Sequence, residues 1–72
     1  MKTTRDIEGT ETTGDLIRAR RNAAGLKQSE LAVLIGCSQK DISRWENGDH
    51  DPSISNLKKI AAALGCSMDD LA

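Results

Sequence analysis

Glycine punctuation constrains this sequence more than any other feature. Gly25, Gly36, Gly48 and Gly65 each close a stretch whose apolar residues recur at helical spacing. Glycine reaches the left-handed conformation that ends a helix without a steric penalty. Ser38, Ser53 and Ser67 stand where the following stretches begin. A serine hydroxyl there can accept an orphan amide of the first helical turn. Stops and starts this close predict helices of about 12 residues or fewer, which are not stable singly and must pack together.

The pattern predicts a first helix from about Thr13 to Ala24, capped by Thr12 or Thr13, with Asp15 at the positive end of its dipole. Leu26 leads to a second helix from about Gln28 to Ile35, with Leu31, Ala32, Leu34 and Ile35 as its apolar face. Gly36 and Cys37 separate it from Ser38, which forms a capping-box-like pair with Asp41. The third helix runs from about Gln39 to Asn47, and Asp49, His50, Asp51 and Pro52 make a turn. Ser53 caps a fourth helix carrying Ile54, Leu57, Ile60, Ala61 and Leu64. Ser67 and Asp70 open a short fifth helix with Met68 and Leu71. The expectation is an all-α, compact five-helix domain over residues 13–72, preceded by a flexible arm over residues 1–12. In that arm Lys2 and Arg5 could reach phosphates, but Asp6, Glu8 and Glu11 oppose this.

Composition narrows the function. Trp45 is the sole aromatic residue among 72, so the core is aliphatic and helices are favoured over strands. A chain this short buries about 60% of its unfolded surface, which leaves little room for a catalytic pocket. No nucleophile–base pair, metal cluster or phosphate loop is visible, and Ser29, Ser38 and Ser53 read as helix starts. An enzyme is not expected, nor a cofactor. Cys37 and Cys66 lack metal-ligand spacing, and His50 is distant from both. They read as small buried hydrophobes in preference to a disulfide. No signal peptide or apolar run of about 18 residues is present, which makes the cytoplasm the default location and argues against a membrane partner.

Residues Gln28 to Asn47 carry the functional signal. Two short helices joined by a tight glycine-containing turn form a helix-turn-helix candidate. At about 100° per residue, with Gln39 at zero, Ser43, Asn47, Lys40 and Arg44 fall near 40°, 80°, 100° and 140°. Trp45, Ile42 and Glu46 fall on the opposite arc, near 240°, 300° and 340°. The outward face suits base reading, since glutamine pairs with adenine and arginine or lysine with guanine. The alternative is an ordinary solvated helix face. The tight preceding turn favours the nucleic-acid reading.

The run Ile17-Arg18 … Arg21 … Gly25-Leu26-Lys27-Gln28-Ser29-Glu30-Leu31-Ala32 … Gly36-Cys37-Ser38 … Ile42-Ser43-Arg44-Trp45-Glu46-Asn47-Gly48 … Pro52-Ser53 … Leu57 … Ile60-Ala61 … Leu64-Gly65 … Leu71 closely resembles the Cro/CI phage-repressor family, also called the XRE family. The resemblance covers about residues 14–72. It implies a lambda-repressor-like domain that binds a palindromic double-stranded operator as a homodimer. It places Gln39, Lys40, Ser43 and Arg44 at base edges. Gln28, which would also brace Gln39, and Asn47 would bond phosphates. Outside the resemblance, Lys27, standing where a Thr or Asn cap is commoner, and Arg20 of the basic face are further candidate phosphate contacts. Arg21 and Glu46 occupy the positions of an interhelix salt bridge.

The net charge of −1 and the Asp49–Asp51 turn depart from a strongly basic DNA binder. They predict modest monomer affinity and a shallow salt dependence. The expected function is a transcriptional regulator, most simply a repressor. Alternatives are an antitoxin that binds DNA and a toxin, or a protein-interaction module that kept the fold without DNA affinity. Met68 and Leu71 could supply a dimer patch or simply close the core.

Overall fold

The computed structural model describes residues 12–71. The expectation of a flexible arm falls outside these residues, apart from Thr12, which caps the first helix. Four α-helices follow in order: α1 (Thr13–Ala23), α2 (Gln28–Ile35), α3 (Gln39–Asn47) and α4 (Ile54–Leu64). The predicted fifth helix is instead a single 3₁₀ turn, Met68–Leu71. Ser67 and Asp70 do form the reciprocal cap expected of a helix start.

Each α-helix starts and stops through local chemistry. Thr12 Oγ1 accepts from the Asp15 amide at 3.1 Å, while the Thr12 amide donates to Asp15 Oδ2 at 3.2 Å. Ser38 and Asp41 repeat this box at α3. Lys27 stands at the cap of α2 and has no side-chain acceptor. The missing half is offset by Glu30, whose Oε1 accepts from the Lys27 amide at 2.7 Å. Gly36 and Gly48 bracket α3 at φ of +77° and +83°, which only glycine adopts without strain. At Gly36 the chain turns back, and the Gly36 and Cys37 amides both bond the Ala32 carbonyl.

The core is aliphatic with one indole. Ile17, Leu31, Ile42, Ile60 and Leu71 are fully buried, and Ala32, Ile35, Trp45, Leu57 and Ala61 complete it. Leu71 therefore closes the core and leaves no side chain for a dimer patch, while Met68 packs half-buried against it. Cys37 and Cys66 are free thiols packed against the same core, half-buried rather than buried. Burial, reinforced by the nearby Asp41 charge, pushes the Cys37 thiol up.

Two expected core positions face water instead. Leu34 is 60% exposed and Ile54 66% exposed. On α2, Leu31, Ile35 and Ala32 span an arc of about 100°, and Leu34 stands about 60° outside it. Ile54 lies on the inward arc of α4 but is its first residue, at the open end of the helix. With Val33, Leu34 lines an open apolar groove on the outer side of α2 that also includes Leu26, Ser29 and Glu30.

Candidate nucleic-acid interface

The α3 helix divides into two arcs. Ile42, Trp45 and Glu46 are buried, whereas Gln39, Lys40, Arg44 and Asn47 are exposed and Ser43 is partly so. The apolar arc sets the helix on α1 and α2, and the polar arc is left as one continuous hydrogen-bonding surface. Among the described residues neither Lys40 nor Arg44 is paired with a carboxylate. Both cations are free to meet an anionic ligand. Asp41 is occupied at the Ser38 cap and takes no part in this surface.

Close helix contact fixes how far α3 sits from α1. A Cβ built on Gly14 would collide with the Trp45 carbonyl oxygen and stand 2.8 Å from that of Glu46. Glycine lets the two backbones touch at the last turn of α3. Sequence reading passed over Gly14, because a glycine in a first helical turn has no signature that marks close approach.

Glu46 anchors the junction. Its carboxylate is wholly buried and accepts from Arg21 Nε at 2.6 Å, Arg21 Nη2 at 3.0 Å and Gln28 Nε2 at 3.0 Å. Arg18 Nε adds a fourth donor at 3.4 Å. Burial alone pushes the Glu46 carboxyl up, but the hydrogen bonds from Arg21, Gln28 and Arg18 and the Arg21 charge outweigh it and hold it below the ordinary value. Arg21 is pushed up in return, chiefly by its hydrogen bonds to Glu46. Arg21 Nη1 also bonds the Leu26 carbonyl at 2.8 Å, which ties the α1–α2 turn to the pair.

Polar contacts then lead outward. Gln28 gives its amide nitrogen to Glu46 and presents Oε1 to Gln39 Nε2 at 3.4 Å. A carboxylate only accepts, so the orientation of the Gln28 amide is fixed. This leaves the Gln39 carbonyl oxygen and one amide hydrogen for a ligand, the pair of groups that matches adenine.

The structure brings Gln28, Gln39, Lys40, Ser43, Arg44 and Asn47 together, with Lys27 at the start of α2. It does not bring Arg20 there. Arg20 pairs with Asp70 of the 3₁₀ turn at 3.7 Å. Arg20 lies about 200° around α1 from Arg18, so the two arginines leave opposite sides. Arg18 is the α1 cation beside α3, where it bonds the Glu46 carbonyl at 3.1 Å and Asn47 Oδ1 at 3.4 Å. Its spacing of three from Arg21 was the signal that could have selected it.

Comparisons with known proteins identify the fold and the family. The helix-turn-helix family model matches residues 17–71. Repressor protein C2 of Salmonella phage P22 is 39% identical over 62 residues, which cover 86% of this chain and 29% of that protein. The transcriptional regulator DicA of Escherichia coli K12 is 38% identical over 56 residues, 78% of this chain and 42% of its own. This chain thus spans less than half the length of either relative. Among solved structures, the P22 c2 repressor in complex with a synthetic operator superposes with a TM-score of 0.82 at 39% identity, covering 86% of this chain and 94% of that one. The chain belongs to the Cro/CI-type helix-turn-helix family.

Proposed function

We propose that this chain is a sequence-specific DNA-binding transcriptional repressor that reads an operator by laying α3 in the major groove. The observation that carries the reading is the division of α3, with five hydrogen-bonding residues outward and three core residues inward. Gln39, Lys40, Ser43 and Arg44 meet base edges. Asn47, Gln28 and Lys27 bond phosphates, with Arg18 in place of Arg20 as the supporting cation from α1. Kinship to a repressor solved on its operator supports the same mode of docking. A palindromic operator would be bound by two copies, in keeping with the two-fold logic of such domains.

Charge sets the character of the binding. Asp49, His50 and Asp51 are exposed just past the C-terminus of α3. Two carboxylates there oppose the phosphate backbone, so base contacts and pairing of copies must supply what bulk charge does not.

Selection from a random duplex pool tests this. A palindromic motif should emerge, and Gln39→Ala and Arg44→Ala should each relax it at separate positions. Each bidentate contact discriminates by about 1–3 kcal/mol. The logarithm of affinity should fall with that of salt by only about 0.9 per neutralised phosphate, and few phosphates are neutralised. No enrichment even at low salt would exclude this function and favour a protein-interaction module.

A further inference from the structure

Arg18 is more than a neighbour of the buried pair. Its Nη2 bonds both the Glu46 carbonyl and Asn47 Oδ1. A guanidinium can only donate, so it dictates that the oxygen end of the Asn47 amide faces α1. The nitrogen end then turns back along α3, where Asn47 Nδ2 donates to Ser43 Oγ at 3.4 Å. An amide nitrogen cannot accept, so Ser43 is the acceptor in that bond. A serine within a helix usually discharges its own hydrogen on the carbonyl four residues back. Among the described residues Ser43 makes no such bond. Its hydroxyl hydrogen is left for the groove.

We propose that Arg18 sets the base preference at Ser43: acting through Asn47, it makes the Ser43 hydroxyl a donor toward the groove. Ser43 then prefers a base that offers an acceptor, guanine through O6 or N7, adenine through N7 or thymine through O4. Cytosine, whose major-groove edge offers only the N4 amino donor, can meet only the remaining lone pair of the hydroxyl and is disfavoured. Arg18 is a positioning residue here, since it acts through Asn47. This inference rests on the DNA-binding reading above and adds to it which edge one position selects and which distant residue decides it.

The test is duplex selection with the wild-type chain and with Ser43→Ala, Arg18→Met and Asn47→Asp. Loss of preference in Ser43→Ala identifies the base position concerned. The wild type should favour guanine, adenine or thymine over cytosine there by about 3- to 10-fold, the worth of one neutral hydrogen bond. Arg18→Met keeps the apolar stem but frees the Asn47 amide to rotate. It should reduce that preference to about two-fold or less while leaving the Gln39 and Arg44 positions as they were. Asn47→Asp replaces the donor with an acceptor, so Ser43 donates inward and shows the groove its lone pairs. The preference should then invert toward cytosine, even though overall affinity falls.

In the free protein, nuclear Overhauser contacts between the Asn47 side-chain amide and the Ser43 β-protons should be present in the wild type and weakened in Arg18→Met. Should Arg18→Met fail to fold, Arg18→Gln, whose amide no longer dictates the orientation of Asn47, takes its place, and Asn47→Asp tests the Ser43 step by itself. Uniform loss of affinity with an unchanged motif in both variants would overturn the role of Arg18 and leave DNA binding standing. A wild type that enriches no motif would overturn both.

Discussion

Arg21 grips Glu46 with two nitrogens on two oxygens, at 2.6 and 3.0 Å, across the gap between α1 and α3. The Glu46 side chain is fully withdrawn from water and that of Arg21 only 11% exposed. Parallel paired bonds of this kind are the strong form of an arginine–carboxylate contact. The charges are costly to bury, so the pair adds less to stability than its short bonds suggest, while either charge left alone would be strongly destabilising.

Removing one partner should therefore hurt more than removing both. Glu46→Ala strands the Arg21 charge and is expected to cost about 3–5 kcal/mol. That is a large share of the roughly 5–15 kcal/mol that holds a domain of this kind together. Arg21→Met combined with Glu46→Leu should be less destabilising than Glu46→Ala alone. Urea midpoints for the three variants give the comparison, and a double variant worse than the single one would contradict it.

Acid should act through the same carboxyl. Glu46 has its pKa held below the ordinary value in the folded chain. Its contribution to stability is fully present above the unfolded value of about 4.3 and is lost as pH falls through the lower folded value. Urea midpoints measured from pH 7 to pH 2 should fall on that acid limb. Glu46→Gln should start less stable and show a shallower fall.

Gly14 should tolerate no side chain. Gly14→Ala forces α1 away from the Trp45 and Glu46 carbonyls, and overpacking of this sort costs about 1–3 kcal/mol. Because α3 shifts with it, operator affinity should drop even in the fraction that remains folded. Thermal melting and titration at a temperature well below the midpoint separate the two effects.

Lys27→Ser should move stability and binding in opposite directions. A serine at the α2 cap supplies the missing acceptor and should stabilise by about 0.5–1 kcal/mol. The same change removes a cation assigned to a phosphate and should lower the salt slope by about 0.9. A variant that gains stability with an unaltered salt slope would show that Lys27 does not meet the DNA backbone.

Much of this was readable in the sequence. Local rules fixed the helix boundaries, since Gly36, Gly48, Ser38 and Ser53 act on their own neighbours. The inward and outward arcs of α3 followed from helical geometry at Ile42 and Trp45. What escaped was set by partners far along the chain. Leu34 fits an apolar pattern but faces water, because the position of α4 decides which side of α2 is covered. Arg20 and Arg18 are the same letter and differ in sequence only in their spacing from Arg21, and it is the 3₁₀ turn on one side and α3 on the other that separate their roles. Gly14 is invisible until two backbones meet, and Met68–Leu71 has a helix's cap without its length.

The two-arc design of α3 has a consequence for moving specificity between scaffolds. Transplanting Gln39, Lys40, Ser43, Arg44 and Asn47 onto another domain would carry the groups we assign to DNA contact but not their orientation. The amide of Gln39 is turned by Gln28 on α2, and that of Asn47 by Arg18 on α1. A faithful graft needs seven positions from three helices, and a host lacking a carboxylate where Glu46 stands would lose the alignment of Gln28 and Gln39 together. The proposed recognition surface is portable only with the side chains that orient it.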